Sequence, residues 1–254
     1  MTQITLIPLK TPIIQKGDSI GEVLFETIQK LNISIDEGDV IVVAESPLAM
    51  AEGQTVDLAS VDPSEKAIDL AKRYEMDPRV VEIVIQEADE VLGGVKGVLL
   101  TIKNNTLIAN AGVDSSNAPP GHLVLFPKDP QKSAELIKQI LEAKFHKKIA
   151  VIVGDSRVQP LRRGTIGVAI SVAGMEPIED CRGREDLFGR KLQITFRAIA
   201  DDLVSAAQLL LGEADEQTPA VLIKGAPIKL SKNPSQNMAI HRNECLFMNY
   251  FSKT

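Results

Sequence analysis

Tryptophan is absent from the 254 residues, and aromatic side chains of all kinds make up 4% of them. A surface that holds single strands by stacking bases on exposed rings is therefore disfavoured. The excess of positive charge that displaces counterions from a nucleic acid is also missing, because the formal net charge is −6. Two cysteines, Cys181 and Cys245, supply neither zinc-ligand spacing nor a disulfide framework. The three histidines, His122, His146 and His241, show no ligand spacing. No serine or cysteine occupies a nucleophile elbow, and neither the Walker A lysine loop nor the Gly-x-Gly-x-x-Gly turn is found. No apolar run approaches the roughly 18 residues that span a bilayer. The opening Met1-Thr2-Gln3-Ile4-Thr5 lacks the basic and apolar regions of a secretory signal. The expectation is a cytoplasmic protein with no membrane and no nucleic-acid partner.

What is present is an ordinary core composition, 44% hydrophobic and 24% charged, in a length that suits one large domain or two intimately packed lobes. Residues 1–254 are read as a single domain with a divergent basic C-terminal segment at 230–254. From Lys224 onward the cations Lys224, Lys229, Lys232, Arg242 and Lys253 face one acid, Glu244. That pattern reads as a solvated tail or a patch facing an acidic partner subunit. Strand-like runs recur at residues 4–8, 40–44, 98–103, 106–109, 148–153, 165–172 and 220–224. Asp62-Pro63-Ser64-Glu65 predicts a helix with Asp62 as cap and Pro63 at its first position. Asp77-Pro78 predicts a helix to about residue 91, and Asp129-Pro130 one to about 145. A fourth helix is expected from near Thr195, where Phe196, Ile199, Leu203, Ala207 and Leu210 recur at helical spacing before Gly212. This irregular interleaving favours α+β over a doubly wound parallel sheet.

The chemistry concentrates in a few turns. Residues 110–117, Asn-Ala-Gly-Val-Asp-Ser-Ser-Asn, place Asp114 in a glycine-containing turn, where an Asx residue either bonds its own backbone or offers an oxygen ligand. Asp155 is expected to end an apolar strand, with Ser156 as a further oxygen ligand or a turn cap. Glu213 follows the helix stop at Gly212, where the helix dipole favours a cation rather than an acid. Arg162 and Arg163 could grip phosphate or carboxylate oxygens, or make surface ion pairs. The charged, glycine-rich stretch 182–190 must be a loop, serving an anionic substrate or pairing with itself. These residues on their own point to metal-assisted chemistry on an anionic substrate and leave the reaction open.

Several segments in order, NAGVDSSN at 110–117, FPKDPQKSA at 126–134, VIVGDSRVQPLRRG at 151–164 and RGREDLFGRKLQIT at 182–195, resemble the coenzyme F420-0:L-glutamate ligase family. Pieces at 12–18, 38–40, 51–53, 198–201 and 210–213 continue the match, which covers nearly the whole chain to about Lys229. The resemblance implies an α+β, mixed-sheet, two-lobed fold forming an intertwined homodimer. It also implies GTP as co-substrate, magnesium or manganese, and L-glutamate as the amine, with room for K+. Asp114, Asp155, Ser156 and Glu213 match the metal-ligand positions. Asn117 matches a nucleotide-contacting residue, and Thr11, Pro12, Ile13, Ile14, Glu45, Ser46, Leu211, Gly212 and Ala214 border the nucleotide. Met50 stands where the family has a lysine, Glu45 adds an acid near the polyanion, and Val158-Gln159 replace a Gly-Arg pair. Those departures keep two other readings open: a related ligase acting on a folate or pterin acceptor, and a non-catalytic relative that binds a ligand.

Overall fold

The computed structural model describes residues 3–235 and 237–251. In chain order the elements begin with β1 (Thr5–Leu9), α1 (Ile20–Lys30), β2 (Val40–Ala44), α2 (Glu45–Ala51), β3 (Thr55–Asp57), α3 (Glu65–Tyr74) and α4 (Pro78–Glu87). There follow β4 (Glu90–Val95), β5 (Val98–Lys103), β6 (Thr106–Ala109), β7 (His122–Val124) and α5 (Pro130–Phe145). The remainder are β8 (Ala150–Val158), β9 (Thr165–Ala173), β10 (Glu179–Asp180), β11 (Phe196–Arg197), α6 (Ile199–Leu211), β12 (Ala220–Lys224) and α7 (Leu246–Phe251). They form two compact units: residues 1–53 with 127–236, and residues 54–126 with 237–254.

The first unit is built on a five-stranded sheet in the order β1-β12-β2-β8-β9. β2 and β8 run parallel while the other neighbours are antiparallel, so the fold is α+β with a mixed sheet. β2 reads Val-Ile-Val-Val-Ala, and Val40 through Val43 are fully buried. A continuous β-branched run of this kind suits a strand covered on both faces. Ile41, Val43, Val151, Val153 and Leu222 pack against Leu24 and Ile28 of α1 and Ile137 and Leu141 of α5. The alternate residues of β8, Ile152 and Gly154, face α6, whose Val204 lies over Gly154 and Gly167. Pro8 lacks an N–H for a ladder and sits in β1, at the sheet edge where that donor is not needed. Each fully buried Ile or Leu here contributes roughly 1.5–3 kcal/mol.

The second unit contains the β4-β5-β6 meander and the β3-β7 pair, with α3 and α4 closing a core of Ala67, Val81, Val84, Leu99 and Leu123. The Asp-Pro signals hold at two helices. Asp77 accepts from Arg79 N at 2.8 Å, Asp129 accepts from Lys132 N at 3.0 Å, and a proline opens each helix. At α3 the cap is instead Ser64, whose hydroxyl accepts from Ala67 N and donates to Glu82 at 2.5 Å. Asp62 and Pro63 precede the helix because Ser64, tied to α4, starts it later. α4 stops at Glu87 rather than near residue 91, since residues 90–95 gain more by pairing with β5. α6 begins at Ile199, after a short β10-β11 pair takes up Phe196 and Arg197, and it ends at Gly212 (φ 76°) as expected.

Candidate functional site

Sheet register gathers most of the flagged residues of the first unit at one end of its sheet. Ala44, the last residue of β2, lies beside Gly154 in the parallel neighbour β8. β8 therefore carries Asp155 and Ser156 beyond the end of β2, where Glu45 and Ser46 begin α2. β12 runs the other way, with Ala220 opposite Val43 and Leu9. The loop that enters β12, including Glu213 and Ala214, and the loop that leaves β1, Thr11 to Ile14, thus reach the same end. Thr11 N reaches Gln217 O at 3.4 Å and Ala44 N reaches Pro219 O at 2.9 Å, which tie these segments together.

Asp155 does not end its strand. β8 continues to Val158 because β9 pairs with it through Asp155–Val168, Ser156–Gly167 and Val158–Thr165. The carboxylate is therefore held on a rigid hairpin. Its side chain is 11% exposed, and Arg157 Nε donates to Oδ2 at 3.1 Å. Burial pushes the Asp155 carboxyl above its ordinary range; the Arg157 cation opposes that shift, and the charge of Glu213 adds to it. Ser156 Oγ donates to Glu213 Oε2 at 3.2 Å and Thr165 Oγ1 to Oε1 at 3.1 Å. Gln208 of α6 also donates to Glu213. Beyond Gly212 the loop folds the Glu216 carboxylate onto Ala214 N at 2.8 Å. That backbone N–H holds Glu216 below the usual carboxylate range.

The Ser156 and Thr165 hydroxyls thus meet the Glu213 carboxylate, and Asp155, the neighbour of Ser156 in the strand, lies close enough to feel the charge of Glu213. All are hard oxygen donors, the chemistry that magnesium and manganese take. A cation here would also relieve the repulsion between Asp155 and Glu213. Among the described residues no group of three or more His, Cys, Asp and Glu side chains is drawn together as a metal cluster. The remaining acid of the expected set, Asp114, belongs to the second unit.

There Asp114 bridges to Val124, with N–H···O bonds of 3.0 and 2.8 Å, and its Oδ1 accepts from Ser116 N at 3.0 Å. Asn110, Ala111 and Gly112 before it all have positive φ. This costly run is held by Asn110 Oδ1 on Leu99 N at 2.9 Å and by Ala111 N on Thr101 Oγ1 at 2.8 Å. Glu75, Asp77, Asn110, Asp114 and Ser115 line a cavity of about 220 Å³ together with Met76, Val80 and Leu123. Asn117, at φ 55°, lies in the same turn.

The nucleotide-bordering residues are of mixed character. Thr11 is buried and donates to Pro12 O at 2.7 Å, whereas Ile13 is 72% exposed. Ser46 Oγ donates to Glu45 Oε1 at 2.6 Å. Met50 is half-buried in α2. Arg162 and Arg163 sit exposed at the tip of the β8-β9 hairpin, and among the described residues they form no ion pair. Loop 182–190 pairs in part with its own surroundings: Arg182 with Asp180 at 2.7 Å and Arg184 with Glu179 at 2.8 Å. The basic tail is partly neutralised as well. Lys224 meets Asp36 and Asp39 at 2.8 and 2.6 Å, and Arg242 meets Glu90 at 2.9 Å; Lys253 lies outside the described residues. Thr165 and Gln208 escape the sequence reading because only the β8-β9 register and the α6 packing bring them to Glu213. Arg157 escapes it because the strand is expected to end at Asp155, where it in fact runs on to Val158.

The F420-0:gamma-glutamyl ligase family model matches residues 8–225, and the chain belongs to that family of ligases. It is 38% identical over 240 residues to the coenzyme F420:L-glutamate ligase of Methanopyrus kandleri, covering 93% of each chain. It is equally 38% identical over 248 residues to the protein of the same name from Methanocaldococcus jannaschii, covering 97% of this chain and 98% of the relative. With the Archaeoglobus fulgidus protein of that name the identity is 35% over 214 residues, 84% of each. Among the described residues no helix is long and apolar enough to cross a membrane.

Proposed function

We propose that the chain joins L-glutamate to the terminal carboxylate of coenzyme F420-0 as a γ-glutamyl amide, using GTP and magnesium or manganese. The observation that carries this reading is the gathering of Asp155, Ser156, Glu213 and the loop Thr11 to Ile14 at one sheet end. It stands in a chain similar over nearly its full length to proteins named for that reaction.

A carboxylate is a poor electrophile. In the proposed sequence its oxygen attacks the γ-phosphorus of GTP, GDP departs, and an acyl phosphate forms. The glutamate amine then attacks the acyl carbon, phosphate leaves, and the amine proton passes to solvent. Asp114, Asp155, Ser156 and Glu213 are the residues that would hold the divalent ion. When bound, that ion neutralises charge on the transferring phosphoryl group. Thr11, Pro12, Ile13, Ile14, Glu45, Ser46, Asn117, Leu211, Gly212 and Ala214 border the nucleotide. The reading includes a homodimer acting in the cytoplasm; Leu161, Leu187 and Phe188, each more than four-fifths exposed, are apolar surface that a second copy would cover.

Purified protein with GTP, magnesium, K+, glutamate and F420-0 is expected to release phosphate and add the mass of a glutamyl residue to the acceptor. Light scattering is expected to give twice the chain mass. Absence of turnover with every nucleoside triphosphate, or transfer only to a folate acceptor, would overturn the assignment.

A further inference from the structure

Arg157 follows Ser156 in β8, and its side chain is 8% exposed. A guanidinium presents five N–H donors in one plane, and withdrawing it from water is costly unless those donors are met. Among the described residues only one of them is met. Nε donates to Asp155 Oδ2 at 3.1 Å, and Nη1 and Nη2 make no hydrogen bond to any described residue. Nor are they sealed: among the described residues the fully enclosed side-chain nitrogen or oxygen without a partner is Nε of Arg242. Four donors of a nearly buried cation therefore open beside Asp155.

The acid that could have absorbed them does not. Asp201 feels the Arg157 charge, but its Oδ1 accepts from Ala169 N at 2.9 Å and it makes no hydrogen bond to Arg157. Asp155 and Arg157, two apart in an extended strand, project to the same side of the sheet. The Nε bond to Asp155 restrains the plane of the guanidinium. Its Nη pair is thereby pre-set for two oxygens of one planar or tetrahedral anion.

We propose that the Nη pair of Arg157 is an oxyanion subsite of the ligase centre, receiving a carboxylate or phosphate of a substrate beside Asp155. The inference rests on the ligase reading above. Three sources share this chemistry: the acceptor carboxylate, a phosphate of the nucleotide, and a carboxylate of the incoming glutamate.

The test is the separate KM of each substrate for wild type, Arg157→Lys and Arg157→Gln, with melting temperatures measured alongside. Lysine keeps the charge that balances Asp155 and Asp201 but lacks the fork. Arg157→Lys is expected to melt with the wild type and to raise one KM about ten- to a hundred-fold, leaving the other two nearly unchanged. The substrate affected identifies the anion. Turnover by Arg157→Lys with all three KM values within about two-fold of wild type overturns the proposal, leaving Arg157 as a counter-charge only; so does a fall in kcat alone. If Arg157→Gln does not fold, Arg157→Lys decides. Failure of the wild type to turn over is a separate result, which removes the ligase reading and this inference with it.

Discussion

Asp155→Asn is expected to fold as the wild type does, to lose manganese affinity, and to turn over about a thousand-fold more slowly. The choice of asparagine matters. Arg157 donates to Asp155 Oδ2 in a setting where both side chains are about nine-tenths buried. Alanine would leave that cation unpaired and cost about 3–5 kcal/mol, so lost activity could then be blamed on lost structure. Asparagine keeps an oxygen for Nε while removing the charge that draws the metal and balances Arg157. Its expected profile is a melting temperature lowered less than by alanine, no manganese heat in a calorimetric titration, and residual turnover near the detection limit. Manganese binding equal to that of the wild type would show that Asp155 is not a ligand.

Gly167→Val should have the largest effect on the fold. Gly167 pairs with Ser156 across the β8-β9 ladder and lies under α6. A Cβ at that position would stand 2.6 Å from the carbonyl oxygen of Val204 and 2.7 Å from its carbonyl carbon. No rotamer change moves a backbone, so α6 itself must retreat. Ser205 Oγ also donates to Gly167 O at 2.7 Å and would lose that bond. The expected cost is about 3 kcal/mol or more, the upper end for overpacking, read as a lower midpoint in urea. The same retreat carries Gln208 and Glu213 away from Thr165 and Ser156, so metal affinity should fall along with stability. Val204→Ala in the Gly167→Val background should not restore the fold, because the obstruction is main chain.

Fold and site were legible to different depths. The strands at 40–44, 98–103, 106–109 and 220–224 stood out because each is a short β-branched run between turn signals, and the structure has them at those bounds. α1 and α2 were not recognised. α1 carries no cap hydrogen bond from Ser19, and α2 follows β2 without a single intervening residue, leaving no turn to mark its start. β4 was absorbed into the expected α4 because Glu90-Val91-Leu92 continues the helical pattern, and only the partner strand β5 decides otherwise. In the site, Asp155 and Glu213 announce themselves as acids that each follow a glycine. Nothing local marks Thr165, which the β8-β9 pairing brings to Glu213, whereas Arg157 reaches Asp155 only because β8 runs on as an extended strand past it.

The central claim is that Asp155, Ser156 and Glu213 form the cation-holding part of a nucleotide-dependent ligase centre. Anomalous diffraction from crystals grown with manganese and GTP tests it most directly. The expected result is a strong peak within about 2.5 Å of a carboxylate oxygen of Asp155, bordered by Ser156 Oγ and Glu213 and touching the triphosphate. Nucleotide bound with its manganese elsewhere, or a peak that ignores all three side chains, would contradict it.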